Sequence, residues 1–321
     1  MKKSKKVFAL TLAMVLVLGL FSGCGPKKAA GLYENGRLVK PWDDLLKEIG
    51  YTDFDGKEIK CKTRELDEEG ITIYTSYFIP SEQDEKGKKK YDLVILNGVT
   101  AIGAGAFDSC THLKSIALPN SVTSIGEQAF IRCKALESIN LPNSIKTIEE
   151  YAFSTCWNLK SVKLPNHLTS IEKGMFFYCG DLTTIEIPNG VKILQDDAFK
   201  WCFDLVSVKI PNSVKSIGES AFDGCKNLEK INLPNSITTI EFGTFWGCEK
   251  LTEIKIPGSV TKIDSWAFAD CENLVGITIP DSVTNIAESS FDDCDKLTIY
   301  GSVTSFAKEY ADDCDIPFVE K

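Results

Sequence analysis

Leu113-x-x-Ile116-x-Leu118-Pro119-Asn120-Ser121-Val122-x-x-Ile125-Gly126-x-x-Ala129-Phe130-x-x-Cys133 is the stretch that decides the fold, because it returns again and again. Cys110, Cys133, Cys156, Cys179, Cys202, Cys225, Cys248, Cys271 and Cys294 stand 23 residues apart. Phenylalanine keeps the same step from Phe107 to Phe291, leucine from Leu113 to Leu297 and proline from Pro119 to Pro280. Copies in phase, with no insertion or deletion between them, mark a repeat architecture.

Each unit divides into three pieces. Leu-x-x-Ile-x-Leu alternates at its end as a short half-buried strand does. Pro-Asn-Ser or Pro-Asn-Gly supplies a turn, since proline presets φ and asparagine tolerates a tight backbone. Ala-Phe-x-x-Cys is too short for a full helix and is expected to form a single helical or 3-10 turn. Stacking identical units turns each apolar position into a continuous column through the core. Roughly ten coils at about 4.8 Å per strand give a rod of about 45–50 Å.

Ile210-Pro211-Asn212-Ser213-Val214-Lys215-Ser216-Ile217-Gly218-Glu219-Ser220-Ala221-Phe222-Asp223-Gly224-Cys225-Lys226-Asn227-Leu228 resembles the repeat of the BspA-like family of bacterial surface proteins. The family consensus reads close to I-P-x-S-V-T-x-I-G-x-x-A-F-x-x-C-x-x-L. The resemblance spans about residues 91–300. It implies a β-rich leucine-rich-repeat solenoid of 23-residue coils with caps at both ends. It also implies surface display, some members acting as adhesins toward host proteins or other cells.

The N-terminus carries an export signal. Lys2, Lys3, Lys5 and Lys6 form a positive region, Val7 to Leu20 an apolar run of signal-peptide length, and Ser22-Gly23 precede Cys24. This resembles a bacterial lipoprotein signal, with Cys24 as the lipidated residue; Phe21 stands where the family pattern prefers leucine. Acyl chains on Cys24 would anchor the protein, at about 0.8 kcal/mol per buried CH2; cleavage without lipidation, giving a secreted protein, is the alternative. The expected organisation is a signal peptide over 1–23, a lipid-anchored linker and N-terminal cap over 24–90, the solenoid over 91–300 and a C-terminal cap over 301–321. Trp42 to Ile49 reads as a short helix, Ile71 to Ile79 as a strand, Val303 to Asp313 as a helix and Ile316 to Val319 as a closing strand. A separate small module over 27–90 is the alternative to a cap.

The chain has 36 basic and 45 acidic residues, a formal charge of −9; the leader takes four lysines and no acid with it, leaving −13. Nucleic acid is a poor partner for such a surface, because phosphate binding needs clustered Lys and Arg.

The cysteine column has three readings. The thiols are small buried fillers, or bridge neighbouring coils as disulfides, or bind metal. In-register side chains point the same way and nine is odd, which counts against disulfides; a single file does not converge on a point as zinc ligands must. Cys61 and Cys314 fall in opposite end regions. Nucleophilic catalysis needs a positioned base, and the histidines are His112, beside the buried column, and His167, in an exposed Pro-Asn turn. Gly103 and Gly105 lack the third glycine of a phosphate loop. The sequence points to no enzyme, cofactor or metal; an enzyme would have to place its site in residues 27–90.

Two surfaces are candidates for a partner. Beside the central Ile of each strand, one outward column reads Ala117, Asn140, Lys163, Glu186, Lys209, Asn232, Lys255 and Thr278. The alternative is a solvated sheet face. The other surface is aromatic: Trp157, Phe177, Tyr178, Trp201, Phe203 and Trp246 fill variable positions around the Phe-x-x-Cys turn. Such a patch marks protein or glycan contact, or else covers gaps between turns. The expected function is a monomeric, surface-displayed binding protein for a protein or glycan on host or neighbouring cells. A structural spacer is the alternative.

Overall fold

The computed structural model describes residues 99–321 and, ahead of them, the backbone strands Met14–Leu16, Gly31–Glu34, Arg37–Pro41, Thr72–Ile73 and Tyr91–Ile95. The expected helix over Trp42–Ile49, the expected lipidation site Cys24 and Cys61 lie outside the described residues.

The repeat folds into a β-solenoid of about ten coils. Each coil contributes one strand to each of two parallel ladders. The first contains Leu113–Ala117, Ser138–Asn140, Ser161–Lys163, Thr184–Glu186 and Ser207–Lys209, and it continues to Thr298–Gly301. The second contains the two-residue strands Ser124–Ile125, Thr147–Ile148 and Ser170–Ile171 and continues to Asn285–Ile286. Register follows the repeat: Ile139 pairs with Val162 and Ile125 with Ile148. Thr72–Ile73, the described part of the strand expected over Ile71–Ile79, extends the second ladder below Ala101–Ile102. The antiparallel hairpin of Gly31–Glu34 and Arg37–Pro41 was not anticipated.

Inside, the phenylalanines from Phe107 to Phe291 form a ladder of rings. Successive centroids are 5.1 to 5.7 Å apart, and the planes are within 13° of parallel. This is the offset stacking that aromatic quadrupoles favour. Tyr310 closes the ladder. It comes from the helix Phe306–Asp313, its ring meets Phe291 at 59°, and its hydroxyl donates to Glu288 O at 2.9 Å. The helix is three residues shorter at its start than Val303–Asp313, and Phe318–Glu320 follows it as the last strand of the first ladder.

The Ala-Phe-x-x-Cys piece forms the expected turn and adds bonds to the next coil that the unit alone does not show. Among the described residues only Glu288–Phe291 forms a 3-10 helix. Every earlier coil closes through consecutive tight turns. The amides of Ala106, Asp108 and Cys110 donate three residues back, whereas those of Gly105, Phe107 and Ser109 donate to Glu127, Ala129 and Ile131 of the next coil. The physical reason is a left-handed residue on either side of the phenylalanine. Two residues before it, from Gly105 to Trp266, φ runs from +52° to +61°; two residues after it, from Ser109 to Asp293, from +56° to +68°. A right-handed helical run cannot pass through such positions, but a flat stack of turns can exchange hydrogen bonds with its neighbours.

Candidate binding surfaces

The strand pattern buries the central Ile or Val and turns its neighbours out. Ser161 and Lys163 flank buried Val162, and Thr184 and Glu186 flank Ile185. Asn140, Lys163, Glu186, Lys209, Asn232 and Lys255 all project from the first ladder as expected, and all are exposed. Alternating charge has a local consequence. Lys209 Nζ lies 2.7 Å from Glu186 Oε1, and its hydrogen bond holds the Glu186 carboxyl below the usual carboxylate range. Lys163 and Lys255 have no ion pair among the described residues.

The structure splits the aromatic candidates into two groups. Trp157, Tyr178, Phe203, Phe177 and Trp201 form one cluster across three coils. Tyr178 meets Trp157 edge-on at 4.6 Å, Trp201 at 5.4 Å and Phe203 at 5.5 Å, and Phe177 lies 5.2 Å from Trp201. Trp246 belongs elsewhere. It packs 5.1 Å from Trp266, which in turn lies 5.3 Å from Phe242. Sequence reading missed Trp266, Phe242 and Tyr151. Trp266 and Tyr151 share the column two residues before the core phenylalanine, where other coils carry Gly105, Gly174 and Gly243, and that contrast was the available signal.

Glycines seat several of these rings. Tyr151 lies where a side chain on Gly174 would stand, Trp157 borders Gly180, and Trp201 covers Gly224, each glycine 23 residues after its ring. Packing between turns therefore accounts for part of the aromatic content. Trp201 and Trp266 nevertheless remain 39% exposed. Both are held in the left-handed region, at φ +61° and +55°. This conformation costs an L-residue about 1–2 kcal/mol.

Charge surrounds the rings. Lys200 Nζ sits 5.5 Å over Trp201 and pairs with Asp223 at 3.0 Å and Asp197 at 3.5 Å. Burial raises the Asp223 carboxyl despite its bond to Lys200. Trp246 Nε1 donates to Asp270 at 2.6 Å.

The cysteine column is buried and made of free thiols. Its members are more than fillers. Cys133 Sγ donates to Phe107 O of the preceding coil at 3.1 Å, and the same bond recurs up to Cys294 and Phe268 O at 3.0 Å. Burial raises the thiols of Cys133, Cys179, Cys202 and Cys225 well above their ordinary value, so they hold no thiolate for chemistry at neutral pH. His112 is buried and shares a hydrogen bond with Thr111 Oγ1 at 3.1 Å, whereas His167 is exposed in its turn. Among the described residues no three His, Cys, Asp or Glu side chains are grouped to hold a metal, and no helix is long and apolar enough to cross a membrane.

The profile of the BspA type leucine rich repeat region matches residues 86–206 and 192–316. No curated protein matches the chain. Among solved structures it is similar to a T. pallidum leucine rich repeat protein, with 34% identity, 51% of this chain and 81% of that one covered, and a TM-score of 0.46. A leucine rich cell surface protein from Faecalibacterium prausnitzii A2-165 is 29% identical over 69% of this chain and 82% of its own, with a TM-score of 0.33. The pneumococcal vaccine antigen PcpA is 19% identical over 75% and 82%, with a TM-score of 0.44.

Proposed function

We propose, because the chain belongs to the BspA-type leucine-rich repeat family, that it is an exported binding protein with no catalytic step. On this reading Cys24 carries the lipid that anchors it to the bacterial membrane, and the solenoid is displayed at the cell surface to hold a protein or glycan of host or neighbouring cells. One observation carries the reading: inward positions of the coils repeat almost unchanged, while one outward column of the same strands, from Asn140 to Lys255, changes between amide, basic and acidic residues. Val162, Ile185 and Val208 are interchangeable core residues, but Lys163, Glu186 and Lys209 beside them are not. A rigid scaffold with a freely varied outer face is how binding surfaces are built on repeats.

The test is capture of the chain from Gly25 to Lys321 by immobilised extracellular-matrix proteins and glycans. Lys163, Lys209 and Lys255 changed to Glu form one control, and Tyr178 and Trp201 changed to Ala the other. Saturable capture lost in either control supports the proposal and locates the face. A second reading, a structural spacer, is favoured by the Glu186–Lys209 pair, in which neighbouring coils satisfy each other's charge. A spacer would be captured by none of the probes.

A further inference from the structure

Trp201 and Trp266 hold indoles at left-handed positions of the turn segments, at φ +61° and +55°. Adjacent coils place Gly224 and Gly247 in the Trp201 column and Gly243 in the Trp266 column. These are the residues a left-handed backbone accepts freely. A bulky aromatic there is a genuine backbone outlier. The stacked turns impose this backbone in coil after coil, so the two rings are held rigidly in place. Neither indole N–H has a hydrogen-bond partner among the described residues, although Trp246 has Asp270.

The ground between the two indoles is equally specific. Only main-chain atoms of Gly224 come within 4 Å of where a Cβ on Gly247 would sit, so the ridge drops there to bare backbone. Trp246 and Asp270 stand at one side of the drop, Lys200 and Asp223 at the other. Trp201 and Trp266 are three coils apart, an axial separation of roughly 15 Å, and stand in different columns, two residues after and two residues before the core phenylalanine. Aromatic surface and hydrogen-bonding charge thus alternate obliquely across the coils.

We propose that this ridge binds a neutral oligosaccharide laid obliquely across the coils, with sugar rings on Trp201 and Trp266 and hydroxyls on Lys200 and Asp270. The inference rests on the binding-protein reading above and deepens it by naming ligand class and face. A pyranose offers an apolar C–H face and a polar rim, which matches indoles interrupted by charged groups. A protein hot spot needs a contiguous apolar centre ringed by contacts that exclude water, and here charged side chains break the apolar surface. The formal charge of −13 over residues 25–321 repels anionic polysaccharides and leaves neutral chains favoured.

Cellohexaose, mannohexaose, xylohexaose and chitohexaose, titrated into the 25–321 chain and followed by tryptophan fluorescence and calorimetry, test this. At least one should give a saturable signal, and its disaccharide should bind more weakly because it cannot reach both indoles. Trp201→Gly and Trp266→Gly remove the rings and relieve the backbone, so each should keep the far-UV circular dichroism spectrum while affinity falls on the order of tenfold. His167→Ala, exposed in its Pro-Asn turn, should bind as the parent does. Absence of saturation with all four hexasaccharides, or unchanged affinity in both tryptophan variants, overturns the inference. If the sugars fail but an immobilised protein is captured through the strand face, the broader binding reading survives; silence in both assays removes both.

Discussion

The thiol of Cys202 donates to the main-chain carbonyl of Phe176, 3.2 Å away in the preceding coil. That carbonyl already accepts the amide of Cys179 at 3.2 Å. Cysteine thus fills a position with room for only a small side chain and gives a buried carbonyl its second partner, which explains why the column keeps cysteine rather than alanine.

Alkaline pH should unfold the protein. Burial raises the thiols of Cys133, Cys156, Cys179, Cys202, Cys225, Cys248 and Cys271. A raised folded-state value means that stability is fully present below the unfolded thiol pKa of about 8.5 and is lost as pH climbs above it, where only the unfolded chain ionises. Each thiol adds at most about 1.4 kcal/mol of loss per pH unit. Scanning calorimetry between pH 7 and 10 should show Tm falling steeply above about pH 8.5, and Cys202→Ala should fall less steeply. A flat profile would mean that these thiols are not buried.

Phe199→Ala opens the middle of the ring ladder, where Phe176 and Phe222 stack at 5.5 and 5.4 Å. It should cost about 3–5 kcal/mol in denaturant unfolding. A cost under about 1 kcal/mol would contradict the continuous core.

Glycine substitutions should separate backbone from packing. A Cβ on Gly247 meets only Gly224 main chain, at 3.8 Å and beyond, so Gly247→Ala reports its φ of +66° alone and should cost about 1–2 kcal/mol. In Gly126→Ala the new atom would lie 2.7 Å from Ala104 N, so the backbone must move and the loss should be larger. Equal losses would argue against the stacked-turn geometry.

The anchor is tested by growth with a radiolabelled fatty acid. The parent protein should take up label and sediment with membranes, whereas Cys24→Ala should carry none and be released. Label on Cys24→Ala would remove the anchor from the account.

Periodicity made the solenoid legible, because a step fixed from Cys110 to Cys294 leaves one way to stack the coils. The outward strand column was legible for the same reason: alternation puts Lys163 out once Val162 is in. Turn geometry was not. Ala-Phe-x-x-Cys looks helical in one coil, and only exchange of hydrogen bonds with the next coil makes a flat stack of turns preferable. The grouping of the aromatics was hidden too, since Trp246 and Trp201 are 45 residues apart and similar in setting, yet face different neighbours. Asn35-Gly36, flanked by Leu32-Tyr33 and Leu38-Val39, is a strong short-range hairpin signal that lies outside the repeat.

The most direct test is a surface plasmon resonance titration of the 25–321 chain over immobilised extracellular-matrix proteins and glycans, paired with Tm for each outward-face variant. The account predicts saturable binding that the lysine-to-glutamate or the aromatic variants abolish while Tm stays at the parent value. No saturable response to any probe, or binding lost only in step with Tm, would contradict it.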